Sequence, residues 1–166
     1  YAFSNRIIMK TEGERIGDLT VPSGCVGIGT ICSMSLNGIL LKAGIPITAK
    51  YGGTVWVENH LPKKFTSFIG YEKSSVAPLE IFMKSGMTDI TAALAGGAGE
   101  VLGSFREVPE ICLSDVRALY ARLQRNGLGG MIAFGQPHQA LLGMPVTPGT
   151  AGMMVLGGLN SVAALT

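Results

Sequence analysis

The sequence predicts an α/β (α+β) fold, a mixed β-sheet flanked by helices, with residues 1–166 forming a single domain. Three observations carry this expectation. Short β-branched runs bounded by glycine alternate with stretches of helical period along the whole chain. At 166 residues the chain buries roughly 70% of its unfolded surface, so its core needs no metal or disulfide support. Third, a pattern of proline, uncharged strand with glycine, Leu-Asn and apolar helix occurs twice. Pro22 falls on Pro145, Gly29 on Gly152, Leu36 on Leu159 and Asn37 on Asn160, which reads as an internal strand–turn–helix duplication.

The elements follow in order. Cys25 to Ile31 is a short, β-branched and glycine-containing run expected to form a buried strand. Ser35 is placed to cap the next helix, Leu36 to Lys42, which stops at Ala43-Gly44 with Pro46 just beyond. Ile47 to Lys50 and Thr54 to Glu58 read as two strands joined through a Gly52-Gly53 hairpin, and Phe65 to Tyr71 as another strand. Ser75 to Glu80 reads as a turn into an extended segment. Asp89 to Ala95 reads as a helix stopped by Gly96-Gly97, and Val101 to Val108 as a strand carrying Arg106. Ser114 then caps the clearest helix, with Val116, Leu119, Tyr120 and Leu123 on one face and Asn126-Gly127 as its stop. Gly130 to Phe134, Leu141 to Val146 and Ala151 to Leu156 are expected strands, and Leu159 to Leu165 a final helix.

Composition narrows the function classes. Charged residues are only 14% of the chain against a usual share of about 25%, and 47% are hydrophobic. A surface so poor in charge predicts self-association into a homodimer or higher homo-oligomer. The net charge of +2 argues against a stand-alone nucleic-acid binder, which carries a basic face. Three cysteines without close pairing suit a reducing cytoplasm. Residues 19–41 and 126–166 lack Asp, Glu, Lys and Arg, but prolines and glycines interrupt both stretches, so no membrane span is expected. The chain starts at Tyr1 and stops within what reads as a helix, as a fragment of a longer protein would.

Catalytic and metal chemistry find little support in the residues. His60 and His138 lie in turn-like contexts, and no Cys-x-x-Cys or His/Cys cluster occurs. Buried structural thiols are the expectation for Cys25, Cys32 and Cys112, with Cys32 as the one placed to line a pocket beside Ser33. Gly27-Ile28-Gly29 and Gly96 to Gly99 do not complete a dinucleotide fingerprint. What remains is a set of polar groups in otherwise uncharged surroundings. Cys32, Ser33, Ser35 and Asn37 flank the first turn; Thr147, Thr150 and Asn160 flank the second; Arg106 lies on a strand. Such a set suits a carboxylate ligand, with Arg106 as a bidentate fork and hydroxyls and helix N–H groups completing the shell. The competing reading gives Arg106 a salt bridge to Glu107 or Glu110, or simple exposure, and makes the Ser/Asn set ordinary helix caps.

The residues also carry a family likeness. Val21 to Ser33, then Leu36 to Pro46, Pro78 to Phe82, Ser104 to Pro109 and Gly157 to Asn160 occur in order along nearly the whole chain. Together they resemble the regulatory domain of the archaeal nitrogen repressor NrpR family. The resemblance implies a transcriptional repressor of nitrogen-assimilation genes in methanogens, acting in the cytoplasm without catalysis and without a cofactor. It further implies a regulatory domain that senses 2-oxoglutarate, and operator DNA bound through a separate winged helix-turn-helix domain.

Overall fold

The computed structural model describes residues 1–72 and 74–165. Its centre is a five-stranded sheet in which each pair of neighbours runs antiparallel, giving an α+β architecture. The strands are β5 (Thr48–Glu58), β6 (Leu61–Gly70), β7 (Gly99–Pro109), β8 (Ile132–Phe134) and β9 (Thr150–Leu156), in spatial order β6-β5-β7-β9-β8. Two small ribbons precede it: β1 (Ile7–Lys10) pairs with β4 (Gly27–Thr30), and β2 (Arg15–Ile16) with β3 (Leu19–Thr20).

The hairpin expected at Gly52-Gly53 does not exist. Thr48 to Glu58 is one continuous strand, and the chain reverses at Asn59-His60, with φ of 52° and 60°. Successive positive φ values are what a two-residue hairpin turn requires, and asparagine tolerates them best among non-glycine residues. Gly52 and Gly53 sit mid-strand because neighbours come too close for a side chain.

Five α-helices among the described residues pack on this frame: α1 (Met34–Lys42), α2 (Pro78–Lys84), α3 (Ile90–Gly96), α4 (Leu113–Arg125) and α5 (Asn160–Ala163). The segment expected to be extended before Glu80 starts α2, with extended Ala77 at its N-cap and Pro78 in its first turn, where a missing N–H costs nothing. Asp89 caps α3 by accepting from the Ala92 N–H, and Gly97 ends it at φ 73°. Two caps expected from sequence are displaced. Ser35 lies inside α1, whose N-cap position is Ser33, and Ser114 lies inside α4, whose N-cap position is Cys112. Leu141 to Val146 is a tight turn closed by reciprocal Leu141 and Met144 backbone bonds, not a strand. The last helix ends at Ala163, shorter than the Leu159–Leu165 expected.

Alternation along β9 divides the core. Met154 and Leu156 join Val55, Val57, Phe105, Phe82 and Ile90 in one cluster; Met153 and Val155 join Leu36, Leu40, Val108 and Val116 in the other. Strand–turn–helix units occur at both positions of the sequence echo, β4–α1 and β9–α5, but β4 lies in a ribbon and β9 within the central sheet. Their turns abut: a Cβ on Gly158 would stand 3.0 Å from the Ile31 carbonyl and 3.1 Å from Cys32 Cα. No helix among the described residues is long and apolar enough to cross a membrane.

Gly38 offers a small test of the helical reading. It lies inside α1 with open space where a Cβ would stand. Gly38→Ala should therefore stabilise the chain by about 0.5–1 kcal/mol, read as a higher denaturation midpoint.

Candidate functional site

Where the two turns meet, they open a cavity of about 470 Å³, inside the size range of small-molecule sites. Ile28 to Thr30 of β4, Cys32 and Ser33 of the turn, Tyr71 and Arg106 form much of its wall, together with Gly158 and Leu159 of the second turn. The antiparallel register explains how β4 contributes. Ile7 faces Thr30 and Met9 faces Ile28, while Ile8 and Lys10 face Gly29 and Gly27. The glycine side is filled by Ile16 and Val21, which lie 2.8 and 2.6 Å from a Cβ built on Gly27. The Ile28 and Thr30 side chains are thereby left to the other face, towards the cavity.

Arg106 is the centre of the site. It is only 1% exposed, the largest fully buried side chain of the domain. No carboxylate pairs with it among the described residues. Glu107 bonds the Thr147 N–H at 2.9 Å and lies 3.8 Å from Lys50 Nζ, and Glu110 meets His138 at 2.7 Å. Both salt bridges considered for Arg106 from the sequence are thus absent: Glu107, its neighbour on β7, points to the opposite face, and Glu110 lies beyond the end of that strand.

Neutral oxygens hold the guanidinium instead. Nε donates to Ser104 Oγ at 3.2 Å, Nη1 to the Ser33 carbonyl at 2.9 Å and to Asn37 Oδ1, and Nη2 to Ser33 Oγ at 3.1 Å. Those bonds use four of the five N–H groups, so the free bidentate fork expected from the sequence is reduced to one Nη2 N–H and an uncompensated charge. Burial lowers the Arg106 pKa, opposed by neighbouring Tyr71 and Cys32; an arginine nonetheless stays cationic. Burial likewise raises the Tyr71 pKa, with the Arg106 charge pulling the other way. Glu80 also reaches the cavity wall, but its carboxylate binds Lys84 Nζ at 2.5 Å.

The other sequence candidates divide cleanly. Cys32 and Ser33 line the cavity, and Asn37 stands behind Arg106 as an acceptor. Ser35 is exposed on α1 and does not line it. Thr147 and Thr150 lie by the N-terminal end of β9, where Thr150 Oγ1 donates to the Thr147 carbonyl at 2.7 Å. Asn160 is 1% exposed and clamps the Leu102 backbone, accepting from its N–H at 2.7 Å and donating to its carbonyl at 2.9 Å. None of the three thiols is buried: Cys25 and Cys32 are exposed and Cys112 is intermediate.

Three contributors were missed by sequence reasoning: Thr30, Tyr71 and Ser104. Ser104 was readable, because a serine two residues before Arg106 on one strand must share its face. Tyr71 was not, since it reaches the cavity by lying over Gly52, whose Cβ would stand 2.6 Å from the Tyr71 hydroxyl.

Chemically the arrangement places a buried positive charge on the cavity wall. A buried cation with no counter-charge is costly, and an anionic occupant relieves that cost. A cavity of similar volume beside Ala163 and Ala164 has only exposed charged groups, Lys84 and Asp89, on its wall.

Comparison with known proteins agrees with this frame. The model of the NrpR regulatory domains NRD1 and 2 matches residues 1–166. The chain is 36% identical to the global nitrogen regulator NrpRI of Methanosarcina mazei, over 99% of its own length and 50% of that protein's. It is 32% identical to the global nitrogen regulator NrpR of Methanococcus maripaludis, over 89% of its own length and 27% of that protein's. A crystal structure of a nitrogen repressor-like protein from Methanococcus jannaschii superposes with a TM-score of 0.78 at 27% identity, covering 99% of this chain and 64% of that one. The chain thus spans half or less of the two curated relatives.

Proposed function

The chain belongs to the family of NrpR regulatory domains, and from that premise we propose that it is the effector-sensing part of a repressor of nitrogen assimilation, binding 2-oxoglutarate in the Arg106 cavity. The observation that carries this reading is the buried guanidinium without a carboxylate partner on the wall of a ligand-sized cavity. 2-Oxoglutarate supplies the missing negative charge. In this reading Cys32, Ser33 and Arg106 contact the ligand, and Asn37 and Ser104 position Arg106.

Binding then acts by linkage. A ligand that prefers the form unable to hold operator DNA by about 100-fold shifts the equilibrium by roughly 2.7 kcal/mol. The DNA itself is read by a separate winged helix-turn-helix domain in the cytoplasm. Titration calorimetry of the 166-residue chain tests the sensor. Heat with 2-oxoglutarate, and little with glutamate or glutamine, is expected; silence at millimolar 2-oxoglutarate, with no thermal shift, overturns it.

Self-association completes the proposal. Ile7 (49%), Ile8 (54%), Met9 (63%) and Leu19 (75%) on the ribbons, and Val26 (59%) just before β4, are exposed apolar side chains that favour a partner surface. Sedimentation should show a dimer or larger species, and Met9→Glu combined with Leu19→Glu should release monomers. A wild-type chain that sediments as a monomer at high concentration refutes this part. If association persists while calorimetry stays silent, the domain is an assembly module alone.

A further inference from the structure

The hydroxyl of Thr30 is the one buried side-chain polar atom among the described residues without a hydrogen-bond partner in the protein. Thr30 lines the same cavity as Arg106, and the β4 register aims its side chain to that side. A valine has the same branched shape and suits a strand equally well, without an unsatisfied hydroxyl. The hydroxyl therefore costs the ligand-free chain stability and returns nothing to the fold. It shares a cavity wall with a cation that also lacks a full complement of partners, which marks both groups as parts of one recognition device.

We infer that Thr30 is a second ligand anchor, whose hydroxyl donates to the carboxylate that Arg106 does not hold, and so selects dicarboxylates over monocarboxylates. The inference rests on the sensing reading above and adds a specificity-determining residue to it. Arg106 stands on β7 and Thr30 on β4, so the two anchors belong to different elements of the cavity wall. An occupant with acidic groups at both ends satisfies both anchors at once. One with a single carboxylate meets the buried charge and leaves the hydroxyl orphaned. No protein carboxylate competes for that hydroxyl, because Glu80, the acidic residue on the wall, is engaged by Lys84.

Calorimetry on the whole chain with Thr30→Val and Thr30→Ser tests this, using 2-oxoglutarate and the monocarboxylate 2-oxobutyrate as probes. Loss of a hydrogen bond to a charged group should weaken 2-oxoglutarate about tenfold or more in Thr30→Val, with Thr30→Ser close to wild type. Affinity for 2-oxobutyrate should be the same in Thr30→Val and wild type. The ligand-free melting temperature of Thr30→Val should hold or rise, since an unsatisfied group has been removed. Unchanged 2-oxoglutarate binding by Thr30→Val, beside a wild type that binds it, overturns the inference and leaves the sensor standing. A lower ligand-free melting temperature with both probes weakened alike overturns it too, by revealing a structural role. A wild type that binds neither probe removes the sensor itself and the anchor with it.

Discussion

Arg106→Met is expected to weaken 2-oxoglutarate binding by about 100-fold or more while leaving the ligand-free chain folded. Removing one partner of a buried charge pair costs about 2–5 kcal/mol, because the ligand's carboxylate is then desolvated without compensation. The ligand-free chain has less to lose. It already holds a cation at 1% exposure with no anion, and replacing such a charge by an apolar side chain of similar length is often neutral or stabilising. The opposing cost is that Ser33, Asn37 and Ser104 lose a shared donor, so stability should stay within about 2 kcal/mol of wild type. Arg106→Lys separates charge from geometry. An ammonium carries the charge but cannot reach Ser33, Asn37 and Ser104 together, so it should recover only part of the affinity. Calorimetry with melting curves reads both quantities. An Arg106→Met chain that binds 2-oxoglutarate like wild type removes the cavity from the sensor.

The same residue shows how far the sequence could be read. Arg106, Cys32, Ser33 and Asn37 were legible as polar groups in uncharged surroundings, and the structure brings them together. Direction was not legible. Asn160 echoes Asn37 in sequence, yet its amide turns into the sheet and completes the Leu102 backbone pairing. A repeated dipeptide preserves local structure, whereas side-chain partners depend on what packs above it, and α5 meets different neighbours from α1. Thr147 and Thr150 failed for a similar reason. Thr147 lies before the strand of its unit and Thr150 opens it, and the Thr147 N–H is held by Glu107 on β7, whose side chain points to the opposite face from Arg106. Strand and helix positions held where period and caps agreed, as for α3 with Asp89 and Gly97. They failed where glycine had two physical meanings.

Gly53 is where that ambiguity has the largest consequence. The pair Gly52-Gly53 reads as a turn, yet both residues lie inside β5, paired to Ile69 and Phe68 of β6. Gly53 has ordinary strand geometry, so conformational freedom does not explain it. A Cβ there would stand 2.0 Å from the Ser67 carbonyl oxygen and 2.9 Å from Phe68 Cα. These are backbone atoms, which no rotamer change can move aside, and the register slips just beyond, between Thr54 and Val55. Gly53→Ala must therefore push β6 off β5. The expected cost is about 3 kcal/mol or more, a fall in melting temperature of roughly 6–12 °C for a chain of this size. Displacing β6 also disturbs what it carries: Phe65, packed edge-on against Phe105, and Tyr71, which follows the strand into the cavity wall. Ligand affinity should fall together with stability, whereas Arg106→Met separates the two. Gly52→Ala is the milder control, because its closest neighbour is the hydroxyl end of Tyr71, which can swing away. A Gly53→Ala chain that melts within about 2 °C of wild type would mean that the two strands do not approach as closely as the β5–β6 register demands. The cavity wall that Tyr71 completes would then have to be rebuilt from a different pairing.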